Sequence, residues 1–147
     1  MMTPAALLGF MRTHRVAVQS TVSPEATAQA AVVGIAITDR FEIVFDTLGS
    51  SRKARNLRGN PSLAFVLGGL QPGDERTVQY EGTADEPGGE EIEQLKRVYY
   101  EVYPDGPSRL AWPGLMYVRV RPHWIRYSDY SQDPPLIVEF SRERLGL

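Results

Sequence analysis

The sequence predicts a mainly β domain of the α+β class: an antiparallel barrel, closed or split, with peripheral helices. Three observations lead there. Six short stretches rich in β-branched, aromatic and small apolar residues follow one another, several through links too short for a parallel crossover. Helical periodicity is confined to the N-terminus, to one short mid-chain segment and to residues 89–103. The length of 147 residues, 42% hydrophobic and 23% charged, suits one globular unit, read as a single domain over 1–147 with a C-terminal arm from about 131.

Thr3 caps a first helix with Pro4 at its first position, and Leu7, Leu8 and Met11 recur at helical spacing to about His14. Strands are expected over 15–23, 28–38 and 41–47. The tight Asp39-Arg40 connection favours an antiparallel meander for these three. Ser50 to Arg58 changes period and ends at Asn60-Pro61, which marks a short helix between strands. Two further strands, 62–68 and 75–85, flank a loop of turn formers, Gly68-Gly69-Leu70-Gln71-Pro72-Gly73-Asp74. In the second of them Thr77, Gln79 and Glu81 share one face, while Val78 and Tyr80 share the other. Ile92, Leu95, Val98, Tyr99 and Val102 form the apolar stripe of a helix with Glu90 and Glu91 in its first turn. A sixth strand covers 116–127, with a bend expected at Pro122, and the tail 136–145 reads as a last strand or an interface arm.

Composition narrows the chemistry. Sixteen Lys plus Arg against eighteen Asp plus Glu give a net charge of −2, which speaks against a dedicated nucleic-acid binder. The absence of cysteine excludes disulfides, thiolate metal sites and cysteine nucleophiles, and two histidines leave little for any metal. The N-terminus lacks the cationic lead of a signal peptide, and the longest apolar run, Ala30 to Ile37, is far below the ~20 residues that span a bilayer. The expectation is a cytoplasmic protein without membrane or nucleic-acid partners.

Cations concentrate in Thr47-Leu48-Gly49-Ser50-Ser51-Arg52-Lys53-Ala54-Arg55-Asn56-Leu57. Arg52 and Lys53 fall in the first turn of the predicted helix, where the macrodipole disfavours a cation by ~0.3–1 kcal/mol. A bound phosphate would offset that, accepting from the Ser50 and Ser51 hydroxyls, from free N–H groups and from both cationic heads. A solvated helix with a serine cap is the alternative. No Walker loop or GxGxxG is present, and neither His14 nor His123 has a nucleophile or carboxylate context. Trp112, Tyr117, Trp124, Tyr127 and Tyr130 gather late in the chain, suited to core, interface or stacking on a planar group. A phosphate site and aromatic walls without an acid/base set suit a protein whose cofactor carries the chemistry, which points toward flavin.

Thr47, Ser51-Arg52-Lys53-Ala54, Asn56-Leu57 and Asn60-Pro61, in this order between strands, resemble the pyridoxamine phosphate oxidase-like, FMN-binding split-barrel family. Thr21-Val22-Ser23-Pro24 before Gln29-Ala30-Ala31-Val32-Val33, and Glu75-Arg76-Thr77-Val78-Gln79-Tyr80-Glu81-Gly82 before an acidic helix, extend the resemblance from about Leu7 to about Tyr130. It implies a homodimer with FMN in clefts between the subunits. Ser51, Arg52 and Lys53 would then hold the phosphate, Thr47 would lie beside it, Thr77 near the flavin ring, and Tyr127 would supply an aromatic close to the ring. Vitamin B6 oxidation itself is not implied. Gln29 to Thr38 contains no cation where true oxidases flank the second strand with Arg and Lys, Thr77 replaces their glutamine, and no Arg-Leu-His-Asp-Arg motif follows Tyr127. What remains is a flavin-dependent oxidoreductase acting on an unspecified small molecule, no residue being singled out as catalytic. Deazaflavin in place of FMN, or a non-catalytic barrel binding flavin or haem, are the alternatives.

Overall fold

A computed structural model describes residues 1–147. Helix α1 (Pro4–Arg12) starts as expected, the Thr3 hydroxyl accepting from the Ala6 N–H at 3.1 Å with Pro4 in the first turn, and it stops two residues short of His14. Strands β1 (Val16–Val22) and β2 (Ala28–Gly34) form a hairpin. The chain then passes through Ile35 into β3 (Ala36–Ile37), turns at Thr38–Glu42, and continues as β4 (Ile43–Leu48), α2 (Arg52–Gly59), β5 (Ser62–Gly68) and β6 (Arg76–Asp85). Helix α3 (Gly89–Val102), β7 (Leu115–Asp129), β8 (Leu136–Ser141) and the short α4 (Arg142–Leu145) complete it.

The strands make one antiparallel sheet in the order β2-β1-β5-β6-β7-β4-β3, with β8 also on β7. Strands β2 and β3 stand at opposite ends of this order, yet only Ile35 separates them in the chain. The sheet therefore has to curl until its ends meet, which is the split barrel. A straight meander through the second and third predicted strands does not occur: the 28–38 segment breaks at Ile35, only Ala36 and Ile37 pair with β4, and the long partner of β4 is β7. Pairing along β7 explains its length. Its first half lies beside β4 and its second half beside β8, while β6 runs along the other edge. Near Pro122 the strand continues, and the irregularity is a register shift against β6 between Glu81 and Gly82. The tail is a strand of this sheet.

Alternation fills the barrel. Phe45, Phe65, Tyr80, Ile125 and Phe140 are at most 1% exposed and pack with Leu7 and Met11 of α1, which closes one end. The Tyr80 hydroxyl lies 2.8 and 2.9 Å from the Phe41 and Val120 carbonyls, so its polar end is satisfied inside. Helix α3 lays Leu95 and Tyr99 on Ala36, Val44 and Tyr117 in a second cluster. Arg119, 4% exposed, ties that helix down: its guanidinium grips Asp85 at 2.6 and 2.9 Å and also reaches Glu91. Glu91 thus has a specific partner besides the helix dipole.

Candidate functional site

The site is built where α2 begins. Ser51 caps the helix, its hydroxyl accepting from the Ala54 N–H at 3.2 Å, and the Thr47 hydroxyl at the end of β4 lies 2.9 Å from it. Arg52 and Lys53 therefore occupy the first two helical positions, and the first turn holds no acid. The earliest N–H groups of a helix have no partner within it, so they add donors to a site that already carries positive potential. The ion pairs of the molecule lie elsewhere: none of them uses Arg52, Lys53, Arg55 or Arg58.

Facing this helix start is a groove of about 270 Å³ lined by Gln19, Thr21, Gln29, Ala30, Ala31, Arg52 and Lys53. Two of its lining residues, Thr21 and Gln29, are held by a buried amide behind them. Asn56, 5% exposed, donates from Nδ2 to the Thr21 hydroxyl and to Gln29 Oε1, both at 2.9 Å. The same Gln29 oxygen accepts from Arg52 Nε at 3.1 Å, which fixes the arginine stem beside the groove. Gln19 is 2% exposed and its Nε2 has no hydrogen-bond partner. A buried amide left in that state costs about 1–3 kcal/mol, so this side chain is unfinished business in the free protein.

Of the residues read from the sequence, the fold brings Thr47, Ser51, Arg52 and Lys53 together. Thr77 and Tyr127 are elsewhere in the chain's own sheet. Thr77 stands opposite Gly68 and Ser128, at the end of β6 remote from Thr83, which pairs with Ser62 just after α2. Tyr127 is 4% exposed in the main core, its ring edge-on to Phe10 with centroids 5.2 Å apart. Burial, and secondarily the charge of Asp129, raises its hydroxyl above the ordinary tyrosine value. His14 bonds Phe10's carbonyl and leans on the Phe10 ring, and His123 contacts the Thr83 hydroxyl, so neither joins the groove. Gln19, Thr21, Gln29 and Asn56 went unread as site residues. A signal existed for the first two: Ala17, Gln19 and Thr21 share the inward face of β1, and two polar residues on a buried face ask for a reason.

A sheet curled on itself with helices at its ends defines a split barrel. The comparisons agree. The pyridoxamine 5'-phosphate oxidase pattern matches residues 3–129, and the chain belongs to that family. No curated protein sequence matches it. Among solved structures, a heme binding protein from Mycobacterium smegmatis superposes with a TM-score of 0.84 at 14% identity, over 99% of this chain and 60% of that one. The chain thus spans less than two thirds of that neighbour. A pyridoxamine 5'-phosphate oxidase-related, FMN binding protein from Nostoc punctiforme gives 0.68 at 11% identity, covering 93% and 87% of the two chains. HutZ, the heme storage protein from Vibrio cholerae, gives 0.63 at 17% identity, covering 82% and 91%. At these identities the neighbours establish the fold.

Proposed function

We propose that this protein binds FMN by its phosphate at the start of α2 and acts as a flavin-dependent oxidoreductase on a small molecule. The observation that carries the reading is the helix start itself: Arg52 and Lys53 at positions where the dipole disfavours cations, with no carboxylate partner and a groove in front of them. A phosphate dianion accepts from the Arg52 terminal nitrogens, the Lys53 ammonium and the first backbone N–H groups, and its charge cancels the local excess. Thr47 holds the Ser51 hydroxyl in place, and the Asn56–Gln29 pair keeps Arg52 turned to the groove. A bound flavin supplies hydride chemistry that no side chain of the site offers. A deazaflavin, which also carries a phosphate, would use the same donors.

The reading includes a homodimer. Val32, Val18 and Val66 are cross-strand neighbours on β2, β1 and β5, and with Val16 they form an outward apolar row, Val32 being 66% exposed. Strand β2 is also an open sheet edge. A second copy covering this face would let Thr77, remote from Arg52 within one chain but on the same face of the sheet as Val66, come near the ring from the other side, while Tyr127 stays in the core against Phe10.

The absorption spectrum of the purified protein, with mass spectrometry of whatever denaturation releases, tests the proposal. An oxidised-flavin spectrum and released FMN are the expected result. Replacing Arg52 and Lys53 by alanine should weaken FMN binding by about 100-fold, roughly tenfold for each charged hydrogen bond lost. Protein that stays colourless and takes up neither FMN nor deazaflavin on reconstitution overturns it. A second reading, haem binding without turnover, draws on a cavity of about 550 Å³ bordered by His14, Ile35, Ile37, Val98 and Val102, and on the two neighbours named for heme. A haem-type absorption band on reconstitution, lost in His14→Ala, would favour it.

A further inference from the structure

We propose that Gln19 is a ligand-binding residue, its buried amide donating a hydrogen bond to a phosphate oxygen of the molecule held at the start of α2. The inference rests on the phosphate reading above and deepens it by adding a neutral donor from β1. Three features of the chain support it. Gln19 is 2% exposed with an unpartnered Nε2, while its amide neighbours are engaged, Asn56 Nδ2 with Thr21 and Gln29, and Gln29 Oε1 with Asn56 and Arg52. It lines the groove shared with Arg52 and Lys53, so a turn of its terminal amide is enough to bring the buried donor to the space the two cations border. Across the hairpin it stands opposite Ala31, whose side chain shares its face of the sheet and borders the groove. Its small methyl group leaves the amide room to meet a ligand.

The chemistry follows from the donor. An amide N–H bonds a phosphate oxygen without adding charge, so it strengthens recognition of the ester while the site's positive charge stays with Arg52 and Lys53. An apolar residue of the same length would pack at this inward position without leaving a donor unpaired. The polar end is therefore a burden to the free protein and a benefit only when an acceptor enters. Stability and affinity should move in opposite directions on substitution, a pattern that a purely structural glutamine would not give.

The test compares the wild-type protein with Gln19→Met and Gln19→Glu, stripped of ligand, by thermal unfolding and by FMN titration with inorganic phosphate as competitor. Gln19→Met should unfold at a temperature equal to or above the wild type when ligand-free, bind FMN about tenfold more weakly, and lose sensitivity to phosphate competition in the same proportion. Gln19→Glu, which sets a carboxylate against the phosphate, should bind more weakly still. An FMN affinity for Gln19→Met within twofold of wild type overturns the proposal while leaving the phosphate site standing. So does a loss of FMN affinity with phosphate competition unchanged. Wild-type protein that binds neither FMN nor phosphate overturns both readings together.

Discussion

Asp129 ends the longest strand with its carboxylate turned back on the chain that follows. The Ser131 hydroxyl is the strongest influence on it, with the Gln132 amide and the Ser131 N–H beside it, and together they hold the carboxyl below its ordinary value. A carboxyl depressed in the folded state stabilises above its unfolded value, about pH 4, and that contribution disappears as pH falls through the lower folded value. Asp129→Asn should therefore lower the melting temperature at pH 7 and flatten its dependence on pH in the acid range, as thermal unfolding between pH 3 and 7 would show. An unchanged acid slope would refute the assignment. At this scale much was readable from sequence, since Thr3, Ser51 and the Arg52-Lys53 pair act through neighbours three or four residues away. Gln19 was not, because its meaning depends on Arg52 and Lys53, more than thirty positions along the chain.

Among the elements, β6 and β7 meet at the register shift beside Gly82, which lets the sheet bend into a barrel. A side chain there has no space: a Cβ would lie 2.8 Å from Val120 Cγ1 and press on the Arg121 carbonyl. Gly82→Ala should cost about 1–3 kcal/mol, the range for overpacking, and lower the melting temperature by roughly 2–4 °C per kcal/mol. A variant as stable as the wild type would mean the sheet bends elsewhere. Sequence placed nearly every element, because alternation and helical period are local properties. It misjudged the segment 28–38, whose apolar residues read as one strand although Ile35 carries the chain from one end of the sheet to the other. The bend expected at Pro122 takes the form of a register shift against β6, at the point where the other edge of β7 passes from β4 to β8.

For the whole molecule, the apolar row of Val16, Val32 and Val66, with half-buried Val18 between them, is a contiguous patch that a single copy leaves uncovered. Val32→Lys should leave the subunit folded, since the side chain is exposed in one copy, and should convert the proposed dimer to monomers in sedimentation experiments. If the cofactor cleft is shared, FMN affinity should fall with it. A dimer unaffected by Val32→Lys would place the interface on another face.

The sequence by itself determined the class of fold, the order of most elements and the serine-capped helix start that carries Arg52 and Lys53. Those follow from spacing, capping and charge within a few residues, where chain geometry leaves little freedom. Only the tertiary structure decided which strands pair, how the sheet closes through Ile35, and that Gln19, Thr21 and Gln29 share a groove with Arg52 and Lys53. It also decided that Thr77 and Tyr127 lie away from that groove within one chain. Pairing and closure are set by burial summed over the whole core and by hydrogen bonds between distant segments, and no local pattern encodes either.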